Sequence, residues 1–429
     1  MFDLVFKMKT FLFSLSVLCS VLLSAQDYCN MNRFDEFIFE ESDIEVTSDV
    51  VYGEGINNLG NMQDLKLDIY RPKPALDELT KKPLIFFVHG GGLVGGSKDS
   101  QGAVDLGYLY ARMGYVYVSI DYRIGWDNGD ADDGCGGDTT DLFRATYRAI
   151  QDVRAAYRFI KAEADGYGID TNAIFVEGNS AGSRLILFAL YASQSDYDPQ
   201  FYDELGSIDT AVNAYTNYHF NPMGVITEAG GIEDTSLLYN NSFPHLYFHG
   251  TCDSIVPFFS GPTFFCYQPF EYPNLHGSWQ LVQMSKRLGR TYQFYIAEGA
   301  GHDAVIPDSI IIYAAPFIKD ILCNNLQTEE FYRVLGKYKC AVANEGELVI
   351  VDIYPNPVID NIYLQVTSTR DKEIEMAIYN ALGQEVISYN LEFYPPIKDY
   401  IIDVSGLMRG IYYLRISQRQ EIYVSKFFK

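Results

Sequence analysis

Four short stretches of this chain hold residues whose types and spacing could do chemistry together. "GNSAG" (178–182) sets Ser180 between glycines that leave room for a sharp turn exposing its hydroxyl. "HGGG" (89–92) offers bare backbone N–H groups, because successive glycines let the chain turn tightly against a substrate oxygen. "GTCD" (250–253) ends in a carboxylate, and "EGAGH" (298–302) ends in an imidazole among small residues. An imidazole that takes the proton of a serine makes it a nucleophile, a carboxylate orients the imidazole, and N–H groups stabilise the resulting oxyanion. The chemistry in view is acyl transfer, which requires no cofactor and no metal. No single stretch is decisive, since G-x-S-x-G arises by chance in roughly one chain in seven of this length.

What gives the stretches weight is their place. Leu84–Val88, Val116–Ile120, Ile174–Val176, Leu246–His249 and Tyr292–Ile296 read as buried strands, and each of the four stretches follows one of them. Residues 46–70 read as an antiparallel hairpin ahead of them. Between the strands, Leu142, Ala145, Ala149, Val153, Ala156 and Ile160 recur at helical spacing, which predicts a helix over 142–164; segments 181–192, 279–288 and 309–322 read as helices too. Strands alternating with helices predict the α/β class, a mostly parallel sheet with helices on both faces. Ligands of such sheets sit beyond the carboxyl ends of the strands, so Ser180, Asp253 and His302 are expected to meet there, in the chain order a serine triad needs in this kind of sheet.

With those residues on the page, positions 45–325 resemble an α/β-hydrolase of the carboxylesterase group with H-G-G-G and G-x-S-A-G motifs. That group includes hormone-sensitive-lipase-like enzymes and bacterial feruloyl/acetyl-xylan esterase-like proteins. "HGGGLVGGSKD", "SIDYR" and "QDVRAAYRFIKAEADGYGIDTNAIFVEGNSAG" carry the likeness between the motifs. The resemblance implies that Ser180 is the nucleophile, Asp253 the acid, His302 the base, and Gly91, Gly92 and Ala181 the oxyanion donors. It implies a serine carboxylesterase whose partner is an ester substrate, small or polymer-linked, of small acyl or aryl type such as those on plant polysaccharides. Other readings are a catalytically silent relative used for adhesion or glycan binding, a lipase or polyester hydrolase, and a serine peptidase. Two positions depart from the group: Leu93 stands where an aromatic residue is usual, and Ser183 where a second glycine is usual. The first puts the acyl pocket in question; the second is expected to crowd the turn behind Ser180.

Of the remaining histidines, His89 is expected to shape the glycine loop and His249 to pack in the core. Asp234 and Glu298 are alternatives to Asp253 as the acid. The acidic stretch "DNGDADDGCGGD" (127–138) could offer oxygen ligands to calcium, but Gly129 and Ala131 stand where an EF-hand loop needs acidic ligands, and a solvated loop at the rim of the site is the expectation. The aromatic stretch 258–277 reads as a lid or substrate wall, or as an internally packed loop.

The chain has 429 residues, 48% of them hydrophobic, enough for a large core and a second small domain. A formal charge of −24 argues against a nucleic-acid partner, which would need stripes of Lys and Arg. Lys7 and Lys9, the apolar run 11–23 and Ser24-Ala25 read as a signal peptide (1–25), too short in its apolar part for stable membrane insertion. Cys19 lies inside it. An exported chain favours disulfides, and closeness in sequence suggests Cys252 with Cys266 and Cys323 with Cys340, leaving Cys29 for Cys135. After Cys340 the helical pattern stops and short alternating strands separated by turns predict a small all-β sandwich over 346–429, with the α/β unit at 26–345. "IYPNPVIDNI", "IYNALGQEV", "DVSGLMRGIYYLRI" and "KFFK" resemble the type IX secretion sorting domain of Bacteroidetes. This implies the type IX machinery as a partner through residues 350–429 and a secreted or cell-surface location.

Overall fold

The computed structural model describes residues 28–129, 136–265, 272–304, 307–334, 348–354, 358–368, 372–393, 397–418 and 421–429. The expected signal peptide (1–25) and the expected boundary at 345/346 lie outside the described residues. The chain divides into two compact units, Met1–Leu335 and Gly336–Lys429, each described by itself.

The wholly apolar runs form the middle of the first unit's sheet, because a strand covered on both faces has no use for alternation. Its strands are β1 (Ile44–Ile56), β2 (Met62–Pro72), β3 (Lys82–Val88), β4 (Val116–Ile120), β5 (Ile169–Asn179), β6 (Gly224–Glu228), β8 (His245–Gly250), β11 (Tyr292–Glu298) and β12 (Glu329–Val334). They lie in the order β1-β2-β4-β3-β5-β6-β8-β11-β12. The pairs involving β2 are antiparallel, while every pair from β4 to β12 is parallel. A second, three-stranded sheet, β7 (Gly231–Ile232), β10 (Asn274–Gly277) and β9 (Ser260–Pro262), is antiparallel.

Strand alternation sorts the core onto two faces. Leu84, Phe86 and Val88 of β3 point into one apolar cluster with α2 (Thr139–Ala162), α4 (Ala181–Tyr191) and α6 (Ser278–Arg287). Ile85 and Phe87 point into the other, with α1 (Gln101–Arg112) and α7 (Pro307–Leu322). The short α3 (Ala164–Tyr167) and α5 (Pro199–Leu205) follow α2 and α4. Helices thus cover both faces of a mostly parallel sheet. The sequence pattern did not mark β6, whose "GVITE" is short and ends in a glutamate, nor α1, whose helical spacing is interrupted by Gly102 and Gly107.

The expected disulfides need correction. Cys29 pairs with Cys323, which excludes both Cys29–Cys135 and Cys323–Cys340. The cause is the course of the N-terminal segment along α7: Lys319 Nζ donates to the carbonyls of Met31 (2.9 Å) and Arg33 (2.7 Å), and buried Arg33 pairs with Asp77 at 2.9 Å. Cys252 is disulfide-bonded as well; its suggested partner, Cys266, lies outside the described residues.

The second unit is all β. β13 (Leu348–Tyr354), β14 (Asn361–Ser368) and β17 (Ile397–Asp403) form one antiparallel sheet, and β16 (Glu385–Phe393), β15 (Lys372–Asn380), β18 (Ile411–Gln418) and β19 (Glu421–Phe428) form another. One buried cluster draws on both, with Ile362, Leu364 and Ile402 from the first and Ile374, Met376, Leu414 and Phe427 from the second.

Candidate active site

β5 runs into α4 through a single residue, Ser180, with φ 53° and ψ −117°. Such a backbone is costly for any residue with a side chain and persists only where its surroundings fix it. Two glycines make it feasible: a Cβ on Gly178 would meet the backbone of Gly182 at 2.7 Å, and one on Gly182 would meet the Val88 carbonyl oxygen at 1.9 Å. The Ser180 N–H donates to the Glu228 carbonyl at the end of β6 (2.8 Å), and the Ser180 carbonyl accepts the Arg184 N–H of α4 (3.1 Å).

His302, in the turn after β11, lies with Nε2 2.8 Å from Ser180 Oγ and Nδ1 2.7 Å from Asp253 Oδ2. Asp253 follows β8, and its other oxygen accepts the N–H groups of Ile255 (2.8 Å) and Val256 (2.9 Å). Burial works against a charge on Asp253, but hydrogen bonds from His249 and His302 outweigh it and hold the carboxyl well below the usual range. The two alternatives considered for the acid are placed otherwise. Asp234 caps the turn Thr235–Tyr239 through the Ser236 N–H, and among the described residues no hydrogen bond joins Glu298 to His302. His249 is fully buried, as a core histidine would be, yet its Nε2 lies 3.1 Å from Asp253 Oδ2 and its Nδ1 2.8 Å from Ser278 Oγ. Sequence reasoning missed that contact; the spacing His249…Asp253 across a Gly-Thr turn was the available signal.

The glycine loop after β3 is pinned by its carbonyls. His89 O accepts from Tyr122 Oη (2.9 Å), Gly90 O from His89 Nδ1 (2.7 Å), Gly91 O from the Val94 and Gly95 N–H groups (3.0 Å each), and Gly92 O from Trp126 Nε1 (3.0 Å). The N–H groups of Gly91 and Gly92 have no hydrogen-bond partner among the described residues. Both residues have positive φ, 111° and 62°, which favours glycine. Ala181 opens α4, so its N–H is one of those a helix cannot satisfy internally. His89 stacks on Tyr122 at 4.3 Å, and burial lowers its affinity for a second proton, only partly offset by Gly90 O, so the ring serves the loop as a neutral donor.

Gly92, Ser180 and Ala181 border a narrow cleft that opens to solvent. Its apolar walls are Leu93, Leu142, Ile255, Val256, Phe264 and Leu275, and Arg184 adds a guanidinium held by Glu233 (3.0 Å) and Thr146 (2.8 Å). The aromatic stretch 258–277 therefore contributes a wall through Phe264 and Leu275. Leu93 sits at φ 62° with its side chain buried, and Trp126 supplies the aromatic ring beside the loop. The acidic stretch meets that wall, since the Gly137 N–H donates to Tyr272 Oη (2.8 Å) and Asp138 caps α2. Residues 130–135 of it lie outside the described residues, and among the described residues no group of three or more His, Cys, Asp or Glu could hold a metal.

Ser183 does not crowd the turn. Its Oγ accepts the Glu228 N–H (3.0 Å) and lies within donating distance of the carbonyls of Glu228 (2.9 Å) and Gly178. Room comes from the opposite side, where a Cβ on Gly230 would stand 2.9 Å from the Ser183 Cβ. Two further groups escaped sequence reasoning because they sit inside strands. Glu177 and Glu228 are buried behind the turn; burial pushes the Glu177 carboxyl up to about 7 against a Tyr110 hydrogen bond of 2.5 Å. Burial first, and then the Glu177 charge, raise Glu228 well above the ordinary range.

A mostly parallel sheet clad by helices, with a serine at a strained strand-to-helix turn and an imidazole and carboxylate at later strand ends, defines an α/β-hydrolase. Residues 67–241 match the BD-FAE family model, and residues 352–429 match the Secretion system C-terminal sorting domain. The α/β-hydrolase unit is thus similar to an esterase family over part of its length, and the C-terminal unit is similar to a secretion-system sorting domain. Esterase LipC of Mycobacterium tuberculosis is 30% identical over 223 residues, 44% of this chain and 49% of the relative. Gut esterase 1 of Caenorhabditis elegans is 33% identical over 122 residues, 28% of this chain and 20% of the relative. The chain spans about half or less of the length of these curated relatives. Among solved structures, a truncated form of a carbohydrate esterase from gut microbiota is 17% identical at a TM-score of 0.44, covering 68% of this chain and 99% of that one.

Proposed function

We propose that the chain is a secreted or cell-surface serine carboxylesterase working through Ser180, His302 and Asp253. The observation that carries this reading is the hydrogen-bonded line from Asp253 Oδ2 through His302 to Ser180 Oγ, at 2.7 and 2.8 Å. His302 takes the Ser180 proton as Oγ attacks the ester carbonyl, and the oxyanion is met by N–H groups of Gly91, Gly92 and Ala181. His302 then returns the proton to the leaving alcohol, and water repeats the sequence on the acyl-enzyme. The likeness to esterases supports a carboxylic-ester substrate. The apolar walls of the cleft support a small acyl or aryl group, such as those borne on plant polysaccharides. Residues 350–429 would engage the type IX secretion machinery, after a signal peptide (1–25) and a hydrolase unit (26–345).

Activity falls toward acid pH, because a protonated imidazole cannot accept the serine proton. Asp253 takes no part in that loss, since its depressed affinity keeps it charged there. The test is Ser180→Ala against p-nitrophenyl acetate: kcat drops on the order of 10⁶-fold, and a fluorophosphonate probe that labels the wild type no longer reacts. Near-normal turnover by Ser180→Ala would falsify the mechanism. No labelling of the wild type would favour a silent adhesion or glycan-binding protein.

A further inference from the structure

Asp253 Oδ2 accepts from two imidazoles, His302 Nδ1 at 2.7 Å and His249 Nε2 at 3.1 Å. A triad needs only the first. His249 Nε2 also lies 3.1 Å from the Val256 carbonyl oxygen, so both of its neighbours are acceptors and this nitrogen must carry a proton. The ring's other nitrogen is fixed from α6: Ser278 Oγ lies 2.8 Å from Nδ1, whereas its alternative acceptor, Gly230 O, is 3.5 Å away. Ser278 thus donates to Nδ1 and selects the Nε2–H tautomer. The ring is wholly buried and abuts Phe258 edge-on at 5.4 Å, so it has no room to turn.

We infer that His249 is a positioning residue for catalysis, its Nε2–H holding Asp253 Oδ2 in line with His302 and drawing off part of the carboxylate charge that His302 would otherwise feel. The inference rests on the serine-esterase reading proposed above. Two donors on one oxygen share its electron density, so each bond is weaker than it would be alone. His249 therefore tempers how strongly Asp253 stabilises the imidazolium that forms when His302 takes the Ser180 proton. It also adds a second hold on Oδ2 beside His302, since the Ile255 and Val256 N–H groups grip only Oδ1. Among the described residues the titratable groups at this junction are Asp253, from the loop after β8, and His302, from the turn after β11. Ser278 of α6, the Phe258 ring and the Val256 carbonyl complete the surroundings without charge.

The experiment compares His249→Phe, His249→Gln and Ser278→Ala with the wild type, each normalised by fluorophosphonate titration of reactive serine. In His249→Phe the acid limb of kcat/KM moves up by about half a pH unit or more, and kcat falls about tenfold at unchanged KM. His249→Gln, whose amide N–H can stand where Nε2–H stood, restores most of both. Ser278→Ala, which leaves the ring in place but removes the hydroxyl fastened to Nδ1, moves the limb in the same direction by less. A limb that stays at the wild-type pH in all three variants, whatever happens to kcat, overturns the inference and reduces His249 to a core residue. If the wild-type serine is not labelled at all, the esterase reading fails instead, so the two failures are told apart.

Discussion

At the scale of single residues, Ser183 shows how one hydroxyl can replace a missing glycine's freedom with a fastening. It joins α4 to the end of β6, taking the Glu228 N–H while facing two carbonyls, and the same Glu228 carbonyl holds the Ser180 N–H. Ser183→Ala removes a buried hydroxyl that bonds the Glu228 N–H and faces two carbonyls, which costs about 1 kcal/mol. Urea denaturation should show that loss, with kcat falling severalfold because Ser180 shares the Glu228 anchor. Wild-type stability in Ser183→Ala would mean that the hydroxyl is idle. The sequence marked Ser183 as a crowding substitution because the residue that makes room, Gly230, is far along the chain and on another element. Ser180, Asp253 and His302 were legible for the opposite reason: each follows a strand, and the sheet gathers strand ends. His249, Glu177 and Glu228 were not, since a residue inside a buried strand reveals its burial and nothing of what it touches.

At the scale of elements, the glycine loop works because its carbonyls are engaged and its amides are not. The Trp126 indole is the pin nearest the site, donating to Gly92 O from the segment that follows β4. Trp126→Phe keeps the ring against Tyr272 but removes the donor, freeing the Gly92–Leu93 peptide to rotate and so loosening the adjoining peptide that carries the Gly92 N–H. Loss of a whole donor costs about 10²–10³ in kcat; loss of a pin behind it should cost on the order of tenfold, with KM little changed. Steady-state kinetics on p-nitrophenyl acetate decide the matter, and an unchanged kcat would show the loop to be rigid without the indole. That β3 would present this loop was readable from "LIFFVHGGG", an apolar run breaking into glycines. The pin was not, because Trp126 lies beyond another strand and beside an acidic stretch that reads as a solvated loop. β6 also escaped notice, although it anchors Ser180: five residues are too few for a period, and their burial comes from neighbours supplied by β5 and β8.

At the scale of the whole molecule, folding keeps two carboxyls, Glu177 and Glu228, away from water, and this gives stability a direction in pH. The Glu177 carboxyl is raised from 4.5 to about 7, so the folded chain keeps a proton there that the unfolded chain has already lost. A raised group contributes its stability in full below the unfolded value and loses it as pH climbs through the folded one. Here the decline runs from about pH 4.5 to about 7, with a span worth about 3 kcal/mol at 1.36 kcal/mol per unit. Glu228 is displaced in the same direction and adds to the slope. Asp253 acts oppositely: its contribution is present above the ordinary carboxylate value and fades only as pH falls toward its depressed one. Stability should therefore peak in mildly acid solution and weaken toward alkaline pH. Glu177→Gln keeps an oxygen for Tyr110 Oη and removes both the titration and the charge that Glu228 feels. Its melting temperature should exceed the wild type's at pH 8, match or trail it at pH 5, and fall less steeply between the two. A slope equal to the wild type's would place the pH dependence elsewhere in the chain. The two properties then separate within one molecule: the proposed mechanism loses activity on the acid side, where a protonated imidazole cannot act as the base, and stability is lost on the alkaline side through a carboxyl pair lying just behind the same strand-to-helix turn.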